Sequence, residues 1–488
     1  MRNPHFEELF SGLSHAPGFR DVVGRVASEV VGETVRLSGL TLAARAVYIA
    51  LLYRETKRNL LIITDGNKQA EALYPLLRTF CSLFEAGTVP QLLPAFDSLP
   101  GQTMSPHADI LATRAATLEA LSRNQCGIVV APVASAIAKF EAPSFYRQLT
   151  LKLQIRDEIA LDDLALHLES TGYEKRDPVE MAGEYSIRGG ILDVFPADQP
   201  QPVRVEFFGD EIEEIRRFDP ETQRSIHKLT EVVLQPLTEF QRSRTMLARL
   251  AESLRGTSLD GSHLPMDGST FAGWELLATA VRPREGSLLD FYGRAMVIVD
   301  EPEQTKAAAE RFFTRLETSP AIEVVKAEDF VFTWDEFAER AAKLGVLEVR
   351  QLDMSGQCFE ISTRPSMAFH GNLQVAIKEA KTLLEAGSRL AFFAPSTGEV
   401  ERLADVFSEY SVPYQIDLAG ERTPEHLRER AQSSGNAVAL IRGEVDRGTT
   451  FVDAGLTIFG SEDLFERSEA SVKPRKSHLG TFRLTSST

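Results

Sequence analysis

Cysteine is scarce in this 488-residue chain: only Cys81, Cys126 and Cys358 occur, with no CxxC spacing. A disulfide framework and a cysteine-based zinc site are thereby unsupported, and no metal site is expected. Long apolar runs are missing as well. None approaches the roughly 18 residues of a membrane-spanning helix, and the opening MRNPHFEELF puts charged and polar residues where a signal peptide needs an unbroken apolar run. The expected compartment is the cytoplasm, with no membrane partner. The dipeptide Gly-Lys occurs nowhere, so no phosphate loop of the Walker A type can be drawn, because its lysine follows a glycine. Positive charge is in deficit: 53 Lys and Arg against 70 Asp and Glu give a net charge of −17. A chain whose main work is gripping phosphate backbones needs a clustered excess of the opposite sign.

What is present is an ordinary water-soluble balance, 43% hydrophobic and 25% charged, in a length that suggests three or four domains. From Val35 to Ala136, strand and helix patterns alternate as in a parallel α/β layer. Strands are expected over Arg58–Thr64 and Gly127–Ala131, helices over Lys68–Arg78 and Ile110–Leu121. A phosphate loop would precede the first helix of such a layer, and the candidate is Gly39–Ala46, GLTLAARA. An active loop needs glycines that let backbone N–H groups turn to phosphate, a lysine for the β and γ phosphates and a hydroxyl for Mg²⁺. Aligned on Gly39, those places hold Leu42 and Ala44, Arg45 and Ala46. The loop reads as non-functional. Asp300-Glu301 follows the apolar run Ala295–Val299, where a Walker B aspartate would stand. With no phosphate loop opposite, capping of the next helix is the favoured reading over Mg²⁺ binding.

The segment Tyr185–Ser225 is of another kind. Ile191, Leu192, Val194 and Phe195 follow Gly189-Gly190 in an expected strand over Ile187–Phe195, and Val203, Val205 and Phe207 alternate with Arg204 and Glu206. Pro196–Pro202 between them reads as a turn. The prediction is antiparallel structure with one buried and one wet face. Arg176 and Arg188 are the candidates for contact there, since a guanidinium pairs a carboxylate through two bonds and stacks on rings. Phe195 is either contact or core, and a phenylalanine at a strand end is more often core. Arg204, Arg216, Arg217 and Arg224 are interspersed with Glu206, Glu211, Glu213 and Glu214, which predicts a self-compensating surface.

The runs Arg188-Gly189, Asp193, Phe195-Pro196, then RVEFF at Arg204–Phe208, then Phe218-Asp219-Pro220 with Thr222, resemble domain 2 of the excision-repair protein UvrB and its counterpart in bacterial transcription-repair coupling factors. PAFDSLPGQTMSPHADILATRAATL at Pro94–Leu118, GWELLATAVRPREGSLLDFY at Gly273–Tyr292 and IRGEVDRGTTFVDAGLTIFGSEDLFER at Ile441–Arg467 are similar to the coupling factors rather than to UvrB, which would keep its phosphate loop. The resemblance covers essentially the whole chain and corresponds to the N-terminal half of a coupling factor. It implies a degenerate helicase-like, RecA-like α/β domain over 1–149 and 238–350, interrupted at 150–237 by a UvrB domain-2-like module. A second α/β domain over 351–466 and a linker or tail over 467–488 would follow. By the same resemblance the module docks UvrA through Arg176 and Arg188, with Phe195 a further candidate contact. ATP, Mg²⁺, duplex DNA and RNA polymerase would be handled by a motor and a polymerase-binding domain outside this chain, in a parent that displaces stalled polymerase by ATP-driven translocation. The rivals are a UvrB-like damage-verifying ATPase, which Leu42, Ala44, Arg45 and Ala46 oppose, and an independent DNA-binding protein, which the charge of −17 opposes.

Overall fold

Seven strands joined throughout in parallel register form the first sheet, in the order Phe359–Glu360, Thr34–Ser38, Val346–Arg350, Ala295–Asp300, Asn59–Thr64, Ile128–Pro132, Gln91–Leu92. The structure is a computed structural model and describes residues 9–27, 34–260, 264–352, 358–418 and 437–465. The tail expected at 467–488 lies outside the described residues. Asn59–Thr64 and Ala295–Asp300 are apolar at nearly every position because both sheet faces are covered. Leu60, Ile62, Met296 and Ile298 enter one core, and Leu61, Ile63, Val297 and Val299 enter another.

A second parallel-containing sheet packs against the first through a shared core. Its order is Thr363–Pro365, Thr449–Phe451, Leu456–Phe459, Arg389–Ala394, Val438–Arg442, Tyr414–Asp417, with antiparallel pairing only among the first three strands. Helices Pro17–Ala27, Leu42–Thr56 and Asn67–Leu83 lie between the sheets, so Leu60 and Ile62 of one and Phe393 and Ile441 of the other belong to the same buried cluster. Helix Leu42–Thr56 explains itself in that position. From Ala43 to Leu52 every residue is buried, and a helix covered on all sides carries no polar stripe. Tyr48 meets Phe451, and Phe80 meets Phe393, across the layer. Residues 359–360, counted by the sequence reading in the later α/β unit, are hydrogen-bonded into the first sheet beside Leu37 and Ser38.

Between Ile128–Pro132 and Ala295–Asp300 of the first sheet the chain leaves to build a β-rich module. It goes out along Leu151–Gln154 and returns along Glu231–Leu234, which pair antiparallel from Leu151 against Leu234 to Gln154 against Glu231. The ladder closes the module's neck. Beyond it six strands run in the order Ser225–Leu229, Glu211–Phe218, Val203–Phe208, Ile191–Val194, Glu184–Arg188, Glu174–Lys175, all antiparallel but the last pair. One strand expectation needs correction here. Ile187–Phe195 is not continuous: Gly189-Gly190 turns the chain, with Gly189 at φ +59°, so Arg188 ends one strand and Ile191 begins its antiparallel neighbour. Glycine reads as a break because it supplies the positive φ that a tight hairpin requires.

Candidate functional site

Alternation along the module's strands sorts their side chains onto two faces. Tyr185, Leu192, Val194, Val203, Val205 and Ile215 turn inward and meet Leu164 and Leu168 of helix Leu161–Ser170 in a closed core. The residues between them form the other face. Register sets Ser186, Asp193, Arg204, Arg216 and Lys228 side by side across five strands. The adjacent row is Arg188, Ile191, Glu206 and Glu214. This is the wet face that the sequence pattern predicts.

Charges on this face are strongly cross-linked. Asp193, 1% exposed, accepts from Arg204 Nε at 2.6 Å and Nη2 at 2.8 Å, and from Arg188 Nη2 at 3.2 Å. Hydrogen bonding to Asp193 raises the pKa of Arg204, and its guanidinium lies 4.8 Å from the centre of the Phe218 ring. Arg216 pairs with Glu206, and Lys228 with Glu214 at 2.8 Å. The expected self-compensation is met by Arg216 with Glu206, and Glu214 is taken by Lys228, whereas Arg204 pairs with Asp193 and Arg217 reaches Gln199. Arg204 is held at both ends, whereas Arg188 remains half exposed with Asp177 at 3.5 Å as its second partner.

The three residues singled out in the sequence all belong to this face. Arg176 follows the edge strand Glu174–Lys175, its N–H donating to the Tyr185 carbonyl at 2.9 Å, and its exposed side chain reaches Glu174 at 3.4 Å. Such an exposed pair restrains it little. Phe195 is half-buried and lies outside the module's hydrophobic cluster. Its N–H donates to Glu184 and its carbonyl accepts from Gly183, and alternation after Val194 places it on the side of Asp193.

The would-be phosphate loop is occupied by the protein itself. Gly39 has φ +84°, and a Cβ there would stand inside contact distance of the Ile361 carbonyl oxygen. Its own carbonyl accepts from Thr363 N and from Thr363 Oγ1 at 2.6 Å. Thr41 N donates to Thr363 Oγ1 at 3.0 Å, Thr41 Oγ1 to Thr449 Oγ1 at 2.7 Å, and Thr41 caps the helix by accepting from Ala44 N. Gly39 thus serves a close backbone approach. Leu42, Ala44 and Ala46 lie in the helix, with Ala44 and Ala46 fully buried.

Arg45, in the lysine position, points at the two acids. It donates to Asp300 through Nη1, to Glu301 through Nη2 and to the Leu40 carbonyl through Nε. Gln69 reaches the other Asp300 oxygen at 3.4 Å, and Gln351 N donates to Glu301 at 2.8 Å. Burial pushes the Asp300 carboxyl above the usual carboxylate range, Arg45 opposes this, and the neighbouring Glu301 charge adds to it. The capping expectation is corrected accordingly: Glu301 stands at the N-cap of helix Pro302–Glu317 but makes no side-chain cap. Above the cluster lies a cleft of about 780 Å³ between the two parallel-stranded units, lined by Asp65, Asp300, Glu301, Glu444, Asp446 and Glu462 against Arg45, Lys68 and Arg447. Its acidic excess opposes a polyphosphate.

Sequence reasoning missed the junction that fixes the module. Glu239, fully buried, sits just past the returning strand of the neck and accepts from Arg114 Nε at 2.5 Å, Arg114 Nη2 at 3.3 Å and Arg284 Nη1 at 3.2 Å. Arg114 also donates to the Pro94 carbonyl and Ser135 Oγ, and its guanidinium lies 4.0 Å from the centre of the Phe96 ring. Nothing local marks Arg114 or Glu239 in sequence, since both stand in segments with mixed charge.

Comparison with known proteins agrees with this division. Residues 151–240 match the family model described as the UvrB interaction domain. The chain is similar to the transcription-repair-coupling factor of Bacillus subtilis, 26% identical over 477 residues that cover 91% of the chain and 39% of the relative. It is similar also to that of Staphylococcus aureus strain MRSA252, at 23% over 480 residues covering 92% and 40%. The chain spans about two fifths of the length of the curated relatives it matches.

Proposed function

We propose, for a chain similar along nine-tenths of its length to transcription-repair-coupling factors, that it serves transcription-coupled DNA repair as a recruiting platform, with the outer face of the module binding UvrA. The observation that carries this reading is the placement of Arg176, Arg188 and Phe195 on the one sheet face that the module's core leaves free. Arg188 is oriented by the buried Asp193 and the exposed Asp177 and still keeps about half of its side chain open to solvent. An incoming carboxylate can take its remaining donors in the bidentate geometry that guanidinium favours.

The first α/β unit acts in this reading as a helicase-like scaffold and not as an ATPase. Arg45 supplies internally the positive charge that a nucleotide-binding loop would offer to phosphate, and residues 361–363 fill the turn where phosphate would lie. No ATP or Mg²⁺ is held by this chain. Polymerase displacement, duplex DNA contact and ATP-driven translocation are assigned to the part of the coupling factor that this chain does not span. Calorimetric titration of the chain with UvrA, and separately with ATP and Mg²⁺, tests both halves: heat of binding with UvrA and none with nucleotide is expected. Saturable nucleotide binding, or no UvrA binding, overturns the corresponding half.

A further inference from the structure

The last residue of the strand Val203–Phe208 carries an aromatic ring into solvent. Phe208 is 80% exposed, while no other aromatic side chain among the described residues exceeds the 38% of Tyr410. Its neighbour Phe207 turns inward against the module's core, so alternation puts Phe208 on the face of Arg204 and Glu206. The ladder to Glu211–Phe218 shifts register between Glu206 and Phe207, so that Phe207 stands opposite Ile212 and Phe208 opposite Glu211. The surroundings keep the ring uncovered. Phe207 N donates to the Gly190 carbonyl at 2.8 Å, which brings the Gly189-Gly190 turn alongside, and at Gly189 an added Cβ would have nothing within 4 Å. Arg188 immediately precedes that turn.

Burying little, the ring adds little to the stability of the module, and an exposed aromatic on the face that carries Arg188 is the composition of an interface anchor. We infer that Phe208 is an apolar anchor of the docking face, seated in an apolar socket on UvrA whose rim carries the carboxylate that Arg188 engages. This inference rests on the docking reading and extends its contact set to the far end of the sheet. The bare glycine turn then has a use, since it allows the wall of the socket to reach the ring and Arg188 together.

Calorimetric titration of UvrA into the full chain separates the possibilities. Phe208→Ala is expected to weaken binding at least about tenfold, with an unchanged circular dichroism spectrum and melting curve, and Phe208→Leu to fall between it and the parent. Leu166→Ala, which removes a 64% exposed side chain from helix Leu161–Ser170 on the opposite side of the sheet, is expected to bind like the parent. If Phe208→Ala binds like the parent while Arg188→Ala does not, the anchor is refuted and the docking reading stands. If the parent itself fails to bind UvrA, both fall. Equal weakening by Leu166→Ala also overturns the anchor, because exposed apolar area of any position would then suffice.

Discussion

Arg45 and Asp300, 255 positions apart in sequence, form an ion pair in which both side chains are about 5% exposed or less. One belongs to the helix that would follow a phosphate loop, the other ends the strand that would hold the metal ion. Their pairing joins the two halves of the first sheet, on either side of the inserted module, by a contact that involves no nucleotide.

Arg45→Ala leaves a buried carboxylate without its cation. Removing one partner of a buried pair costs about 3–5 kcal/mol, and the expected outcome is a loss of that order in guanidinium unfolding. Nucleotide titration of the same variant should remain silent, because the glycines and the hydroxyl of an active loop are still missing.

Gly39→Ala forces a Cβ against the Ile361 carbonyl in a backbone with φ +84°. A loss of roughly 1–3 kcal/mol in chemical denaturation is expected from the conformation alone, with further loss if the strand at 359–360 is pushed from the sheet. An unchanged denaturation midpoint would show that the loop is not stapled as described.

Glu239→Ala strips Arg114 and Arg284 of their shared carboxylate. Arg114 is 1% exposed, so the uncompensated charge should cost about 3–5 kcal/mol. Limited proteolysis is expected to cut first near the neck of the module. Glu239→Ala with parent-like stability would mean that the junction contributes nothing.

The pH dependence follows from Glu275, whose carboxyl burial raises above its usual value while Ser105 donates to it at 2.9 Å. A carboxyl raised in the folded state binds its proton more tightly there than in the unfolded chain. It therefore lowers stability as pH rises from the unfolded value through the folded one. Glu275→Gln should remove that decline, giving a higher denaturation midpoint than the parent at neutral pH and little gain in acid.

The strand and helix framework was legible because burial leaves periodic traces. NLLIIT at Asn59–Thr64 is apolar throughout since both its faces are covered, and the alternation in Val203–Phe208 records a sheet with one core face. Helix Leu42–Thr56 carried its signal too, apolar around its circumference apart from Arg45 as far as Leu52, but only the second sheet shows why both sides need to be apolar. Arg45 and Asp300-Glu301 were each marked by position, but their pairing was not, and the partners of Glu239 left no local trace, because a buried charge is identified by what folding brings to it from distant segments. At Gly189-Gly190 the apolar run masked a hairpin, and the glycines were the better signal.

Within the proposed docking face, Arg188 joins the buried Asp193 to solvent, and one measurement bears on it most directly. UvrA is titrated calorimetrically into the parent chain and into Arg188→Ala, with circular dichroism recorded on both. Saturable binding by the parent, its loss in the variant and superimposable spectra are the predicted result. Parent-like affinity in a folded Arg188→Ala variant would contradict the assignment of this face to UvrA.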